Sequence, residues 1–366
     1  MKLNFVSDFF SDILNFFKGR AILGVDIGTA SIKIAEVSEK NGRYSLVNYG
    51  ILETKSYLNH PNKAIQTSSL TIVEKDTSDV LKILINEMKP KTKLATASIP
   101  SFSSFSTVID MPLLSPTETA KAVSFQAPQY IPIPVQEVMV DWFKIDEFQN
   151  ESGQKFQHVF VVGISKNLIQ KYKNVFKEAG LRLVALEFDG LPIVRSLMDS
   201  GDDETVIVDI GAESTDIFVA SRGQLEISGE TDYSGIHLTQ SVARSLGITS
   251  MRAEELKRRK GLSSDGPESE LSTLTIPFLD VIIQEVNHVA EVFKRRYGRE
   301  VKRLMMVGGG ANLIGIGRYF AKQTGLIEAK PNLFRKISYD LKLEPILGRL
   351  NNELPTAIGL AEKYFQ

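Results

Sequence analysis

The sequence predicts an α/β protein with mixed sheets, built as two related halves. Three observations carry this. Strand-like apolar runs alternate with helical patterns along the 366 residues. Residues 25–31, VDIGTAS, return at 208–214 as VDIGAES. An apolar run, LMMV, leads into Gly308, Gly309 and Gly310.

In chain order, residues 1–18 place Val6, Phe9, Phe10, Ile13, Phe16 and Phe17 at helical spacing. Such an amphipathic helix can dock on its own domain, on a partner or on a membrane interface. Asp8 and Asp12 interrupt its apolar face, which argues against a signal peptide. Residues 21–52 read as three strands, the last two joined by a turn at Asn41–Gly42. A helix over 78–90 ends at Pro90, and a strand follows at 94–99. A β-rich stretch to Ile145 holds one helix, opened by SPTET with Ser115 or Thr117 as cap and Pro116 in its first turn. The second half repeats the scheme: strands at 205–227, helices at 235–246, 251–260 and 277–297, then the strand before the glycines and a helix at 313–324.

Composition excludes several classes. There are no cysteines, so disulfides, zinc–thiolate sites and thiol nucleophiles are absent, which fits a cytoplasmic protein. A net charge of −1 gives no whole-molecule attraction to nucleic acid. The basic runs at 252–260 and 294–303 come with no aromatic-interleaved strand or recognition helix and read as solvated or partner-facing surfaces. No run approaches the roughly 18 apolar residues of a membrane span.

Aligned without gaps, residues 24–37 and 207–220 agree at six of fourteen positions. Each copy is a strand, a tight glycine turn and a second strand. Gly28 and Gly211 allow close backbone approach to an anion. Thr29, Ser31, Ser214 and Thr215 add hydroxyl donors around Ala30, Ala212 and Glu213. Asp26 and Asp209 end the first strand of each copy, where a carboxylate can hold Mg²⁺ through water. Lys33, found only in the first copy, suits a β- or γ-phosphate as a point charge. One such turn is ordinary hairpin chemistry; two on equivalent elements suggest the jaws of one phosphate clasp. The glycine triplet, with a helix opening after Asn312, admits a flat base or a phosphate against bare backbone. No P-loop motif is present, and the triplet lacks dinucleotide-fold spacing.

In order, GVDIGTASIK, IVDIGAESTD and VGGGANLIGIG resemble the phosphate-1, phosphate-2 and adenosine motifs of the actin-like ATPase superfamily. Residues 100–145 are similar to the inserted subdomain of the PilM family of type IV pilus assembly proteins, with Gln126 where that family usually has Glu. LEFDGLP, LTQSVARSLGI and LPTAIGLA also fit, whereas Ser234–Gly235 stands where the family carries two glycines. The resemblance implies an actin-like, ribonuclease H-like duplicated two-domain fold with an FtsA/PilM-type inserted subdomain. It assigns 19–95, 164–200 and 340–366 to a first subdomain and 96–163 to the insert. A second subdomain takes 201–248 and 302–339, and a small one at 249–301 flanks the nucleotide. Glu254, Lys257 and Arg258 would frame ribose and adenine, Gly235 would approach phosphate, and Asp189 with Glu213 would position water or metal. The implied ligand is ATP or ADP with Mg²⁺, with at most slow hydrolysis.

The implied role is a scaffold on the cytoplasmic face of the inner membrane, in a type IV pilus or related type II secretion machine. It would contact other platform proteins and bind the N-terminal cytoplasmic peptide of PilN in a groove. Ile99, Phe102, Phe105, Val108 and Tyr130 are the groove candidates; each equally suits the insert's own small core. Self-association and membrane contact through 1–18 are further expectations, and nucleic acid is not an expected partner. Two alternatives stand: an FtsA-like membrane-associated filament protein and a small-molecule kinase of the same superfamily.

Overall fold

The computed structural model of the chain describes residues 21–54, 74–262 and 269–365; the helix expected over 1–18 lies outside them. Strands β1 (Ile22–Ile27), β2 (Ser31–Lys40) and β3 (Arg43–Glu53) form an antiparallel meander. Asn41 and Gly42 both turn left-handed, φ 55° and 75°, as the type I′ hairpin of an Asn-Gly pair requires. Helix α1 (Glu74–Met88) leads into β4 (Leu94–Ile99), parallel to β1. The chain then leaves to build β5 (Ser104–Pro112), α2 (Pro116–Gln126), β6 (Val138–Gln149) and β7 (Lys155–Ser165). It returns through α3 (Lys166–Glu178), β8 (Arg182–Phe188) and α4 (Gly190–Leu197).

A second meander follows: β9 (Thr205–Ile210), β10 (Thr215–Ser221) and β11 (Gln224–Thr231). Helices α5 (Gly235–Leu246), α6 (Ser250–Lys260) and α7 (Ser269–Tyr297) precede β12 (Arg303–Val307), α8 (Ile316–Thr324) and β13 (Ile327–Ala329). The chain closes with β14 (Ile337–Ser338), α9 (Leu347–Glu353) and α10 (Pro355–Lys363). Two main sheets result, β14–β3–β2–β1–β4–β8 and β11–β10–β9–β12–β13. Setting β14 aside, both have an antiparallel meander whose first strand is continued by two parallel strands. The repeated heptapeptide therefore marks a duplicated sheet. The third sheet, β5–β7–β6, belongs to the insert.

Period-two alternation explains how the halves share a core. Val206, Val208 and Ile210 of β9 pack with Leu279, Ile282, Val286 and Phe293 of α7. Ile207, pointing the other way, joins the core built on β1, β4, β8 and α10. Helix α10 crosses α4 at backbone contact: a side chain on Gly359 would run into the Pro192 carbonyl. The Gly359 carbonyl accepts from the Arg195 guanidinium (2.8 Å), which also pairs with buried Glu187 (2.6 Å). Lys363 adds a second cation to Glu187 at 3.2 Å.

In the insert, Ser115 is the cap: it accepts from Glu118 N–H (3.4 Å) while Glu118 accepts from Ser115 N–H (3.0 Å). Ile109, Met111, Val123, Ile131, Val138 and Val159 form a separate small core there. The basic run at 294–303 is laced to acids, Lys294 to Glu300 (2.7 Å) and Lys302 to Asp203 (3.2 Å). Arg296 donates to the Val108 carbonyl of β5 (2.8 Å), tying α7 to the insert.

Three helix starts differ from expectation, that of α1 by four residues, Glu74 in place of 78. Helix α7 begins at Ser269 and runs through Pro277. Proline disrupts the carbonyls one turn back. Here Ser241 of α5 donates to the Leu274 carbonyl (2.8 Å), so a tertiary donor meets one of those carbonyls. Helix α8 starts at Ile316, later than its apolar pattern, because Leu262 N–H takes the Ile314 carbonyl (2.8 Å) and holds that segment out of the helix.

Candidate functional site

The two meanders face each other across a cleft of about 420 Å³. In each, the glycine N–H after the first strand donates to a serine carbonyl three residues on, Gly28 to Ser31 and Gly211 to Ser214, both at 3.0 Å. The register is equivalent too: Asp26 pairs with Lys33 across β1–β2, and Asp209 with Asp216 across β9–β10. Lys33 and Asp216 thus occupy the same place in the two copies. The first turn is braced by Thr54, whose N–H donates to the Ala30 carbonyl (2.7 Å) and hydroxyl to that of Thr29 (3.2 Å). The second turn is braced by the start of α5. Gly235 N–H donates to Gly211 (3.1 Å) and the buried Ser234 hydroxyl to Ala212 (2.9 Å), so the serine found in place of a glycine stitches helix to turn.

Four aspartates and one lysine line the cleft, Asp26, Asp189, Asp209, Asp216 and Lys33, with Asp26 and Asp209 acting on the lysine. Lys33 Nζ lies 2.8 Å from Asp26. Burial works against its charge, but Asp26 and Asp209 together hold its pKa above the ordinary value. Burial lifts Asp209 to about 6, Lys33 pulling it down and Asp26 pushing it up. Burial also lifts Asp189 to about 8, against two hydrogen bonds from Ser101 and with help from Asp209 and Asp26. Asp216 rises well above the carboxylate range for the same first reason, and among the described residues its Oδ1 has no hydrogen-bond partner. Buried carboxyls of this kind could serve a cation that brings further ligands of its own. Among the described residues no three carboxylates or imidazoles converge tightly enough to hold a metal unaided.

The other end of the cleft is apolar and basic. Leu238, Leu313, Gly309 and Gly310 line it beside α6. Lys257 reaches Glu254 (2.7 Å), the Gly235 carbonyl (2.9 Å) and Thr239 (2.8 Å), bracing α6 against α5. Burial would raise Glu254, but Lys257 and hydrogen bonds from Lys257, Thr239 and Arg258 hold it at about 2. At the rim, Glu53 of the first half takes Arg258 (3.0 Å) and Arg349 (2.8 Å). Arg349 also pairs with Glu353 (2.8 Å), which accepts from Asn312 (2.8 Å). Gly308 plays another part. It sits at φ 82° with its α-carbon packed on the Asp209 carboxylate and the Ile210 carbonyl, so any side chain there would displace Asp209.

The cleft thus gathers Asp26, Gly28, Thr29, Ala30, Ser31, Lys33, Asp189, Asp209, Gly211, Ala212 and Ser214. Gly235, Glu254, Lys257, Arg258, Gly309, Gly310 and Asn312 of the expected set line it as well. Glu213 and Gly308 do not line it. The five groove candidates do not share one surface. Ile99 is fully buried in the main core, Phe102 lines the cleft, and Phe105 packs on the insert's core. Val108 packs against the main core and Tyr130 is 49% exposed. Residues missed in the sequence include Glu53, Ser98, Asp216, Arg349 and Glu353. Asp216 alone carried a signal, as the partner of Lys33 in the repeat.

The chain matches the family model for type IV pilus assembly protein PilM over residues 24–365. Among solved structures it resembles the PilM–PilN type IV pilus biogenesis complex, with a TM-score of 0.78, 21% identity, and 94% of this chain and 98% of that one covered. MreB5 of Spiroplasma citri bound to ADP superposes with a TM-score of 0.54 at 14% identity, over 95% and 96% of the chains. The cell division protein FtsA of Streptococcus pneumoniae is 21% identical over 80% of this chain and 69% of its own. A duplicated sheet closing on one glycine-edged cleft, with a three-stranded insert, is the actin-like fold, and the chain belongs to the family of type IV pilus assembly protein PilM.

Proposed function

We propose that this pilus assembly protein is a nucleotide-binding scaffold, taking ATP or ADP with Mg²⁺ between its halves. The observation that carries the reading is the meeting of two register-equivalent glycine turns and their aspartates in one cleft. Its volume suits a nucleotide-sized ligand. Gly28 to Ser31 and Gly211 to Ser214 would hold the phosphates from opposite sides, with Lys33 between them. Leu238, Leu313 and the glycines after β12 offer a flat apolar slot for the base, and Arg258 closes its rim. Asp26 and Asp209 would hold Mg²⁺ through water, and the ion would offset phosphate charge against the aspartates. Burial lifts Asp189 to about 8 without a cation, so it can take up a proton near neutral pH. The reading commits to binding that fixes the angle between the halves, with at most slow turnover.

The same reading places the protein on the cytoplasmic face of the inner membrane, where the insert would receive the N-terminal cytoplasmic peptide of PilN. The likeness to the PilM–PilN complex supports that partner. Titration calorimetry of wild type and of Asp26→Ala with Asp209→Ala tests the clasp. Wild type should bind Mg²⁺–ATP and the double variant should not; absence of binding by wild type would overturn the nucleotide reading. Titration of wild type with the cognate PilN peptide checks the partner independently.

A further inference from the structure

The chain segment that opens the insert is also a wall of the cleft. Between β4 and β5, residues Ser101–Ser103 form a single 3-10 turn. Pro100 and Phe102 line the cleft, while Ser101 is turned inward and only 6% exposed. Its N–H donates to Asp189 Oδ2 (3.0 Å) and its hydroxyl to Asp189 Oδ1 (2.8 Å). Asp189 N–H donates in turn to the Ile99 carbonyl (3.2 Å). This wrap follows from the fold: β4 and β8 are parallel neighbours that end together, Ile99 opposite Phe188, so the next residues of each must meet. Two donors on the two oxygens of one carboxylate fix its plane and leave its remaining lone pairs to the cleft. Beyond the turn, β5 runs directly into the insert, where Ser106 and Ser228 share a hydrogen bond (2.8 Å) with the second half.

We propose that Ser101 is a positioning residue for the nucleotide site, orienting Asp189 toward the metal–phosphate end of a bound nucleoside polyphosphate and tying its orientation to the placement of the insert. The inference rests on the nucleotide reading above and adds to it a route between cleft and insert. A ligand that draws on Asp189 tightens the turn at Ser101, and through it the first strand of the insert. Force on β5 from a bound partner reaches the carboxylate by the same bonds.

The test compares ADP affinity with and without Mg²⁺ in wild type, Ser101→Ala and Ser101→Thr, alongside deuterium uptake of residues 102–112. In Ser101→Ala the metal-free affinity should persist while the gain on adding Mg²⁺ shrinks on the order of tenfold, the scale of one lost charge-assisted hydrogen bond. Ser101→Thr, which keeps the hydroxyl, should restore that gain. Mg²⁺–ADP should slow exchange along β5 in wild type and in Ser101→Thr, and leave it unchanged in Ser101→Ala. An equal Mg²⁺ gain in all three proteins, or failure of threonine to rescue, overturns the proposal while leaving the nucleotide reading intact. Absence of ADP binding by wild type overturns both.

Discussion

Asp209→Asn should make the ligand-free protein more stable at neutral and alkaline pH. Burial raises this carboxyl from 3.8 to about 6, so the folded chain holds a proton that the unfolded chain has already released. Below about pH 3.8 both states are protonated and the group contributes nothing. As pH rises toward 6 the unfolded state gains, and folding stability falls by up to about 3 kcal/mol and stays down above that. The side chain keeps some contact with cleft water, which makes that figure an upper end. Asparagine keeps the shape and removes the ionisation, so the variant should be about 1–3 kcal/mol more stable near pH 8 and equal near pH 4. Urea unfolding in chelator at both pH values measures the difference. Saturating Mg²⁺–ADP should reverse the ranking, since a ligand at about 100 times its Kd adds about 2.7 kcal/mol to the protein that binds it. A variant less stable than wild type near pH 8, or a gain that ignores pH, would refute the claim that Asp209 is strained by burial for the sake of a cation.

Three further outcomes follow from single contacts. Gly308→Ala should abolish Mg²⁺-dependent nucleotide binding in calorimetry, because the new methyl occupies the space of the Asp209 carboxylate at a left-handed position. Glu187→Gln should cost about 3–5 kcal/mol in urea unfolding, since it strands Arg195 and Lys363 beside a neutral amide in the core. Glu53→Gln should leave stability within about 1 kcal/mol of wild type, the pairs being at the rim. It should nonetheless speed release of a fluorescent ADP analogue in stopped flow, as Arg258 and Arg349 lose the carboxylate that links them across the cleft.

What could be read from sequence alone was local. The Asn41–Gly42 hairpin, the Ser115 cap and the period-two strands depend on neighbours a few residues apart, and the structure shows each where its local signal falls. The start of α7 was missed because the donor that tolerates Pro277 comes from Ser241, a residue distant in sequence. The cleft residues on the repeated turns announced themselves by repetition. Glu53, Arg349 and Glu353 did not, since each acts only through partners brought together by folding. The apolarity of Ile99 suits a groove or the insert's own core equally, and distinguishes neither from the centre of a sheet, where β4 lies between β1 and β8.

Of the eight positions where the two copies part, one is the most informative. Lys33 and Asp216 stand at the same register position, opposite Asp26 and Asp209. Two lysines there would neutralise the aspartates and leave no seat for a divalent ion. Two aspartates would leave the floor without a cation to meet a phosphate. One of each gives a fixed positive charge beside Asp26, shared with Asp209, and a further carboxyl at Asp216 with an oxygen that no group among the described residues satisfies. On the nucleotide reading, a symmetric clasp would hold an anion from two sides, and the asymmetric one would favour a metal-bound phosphate over a bare one. The divergence at this position would then give the two halves complementary parts of one site.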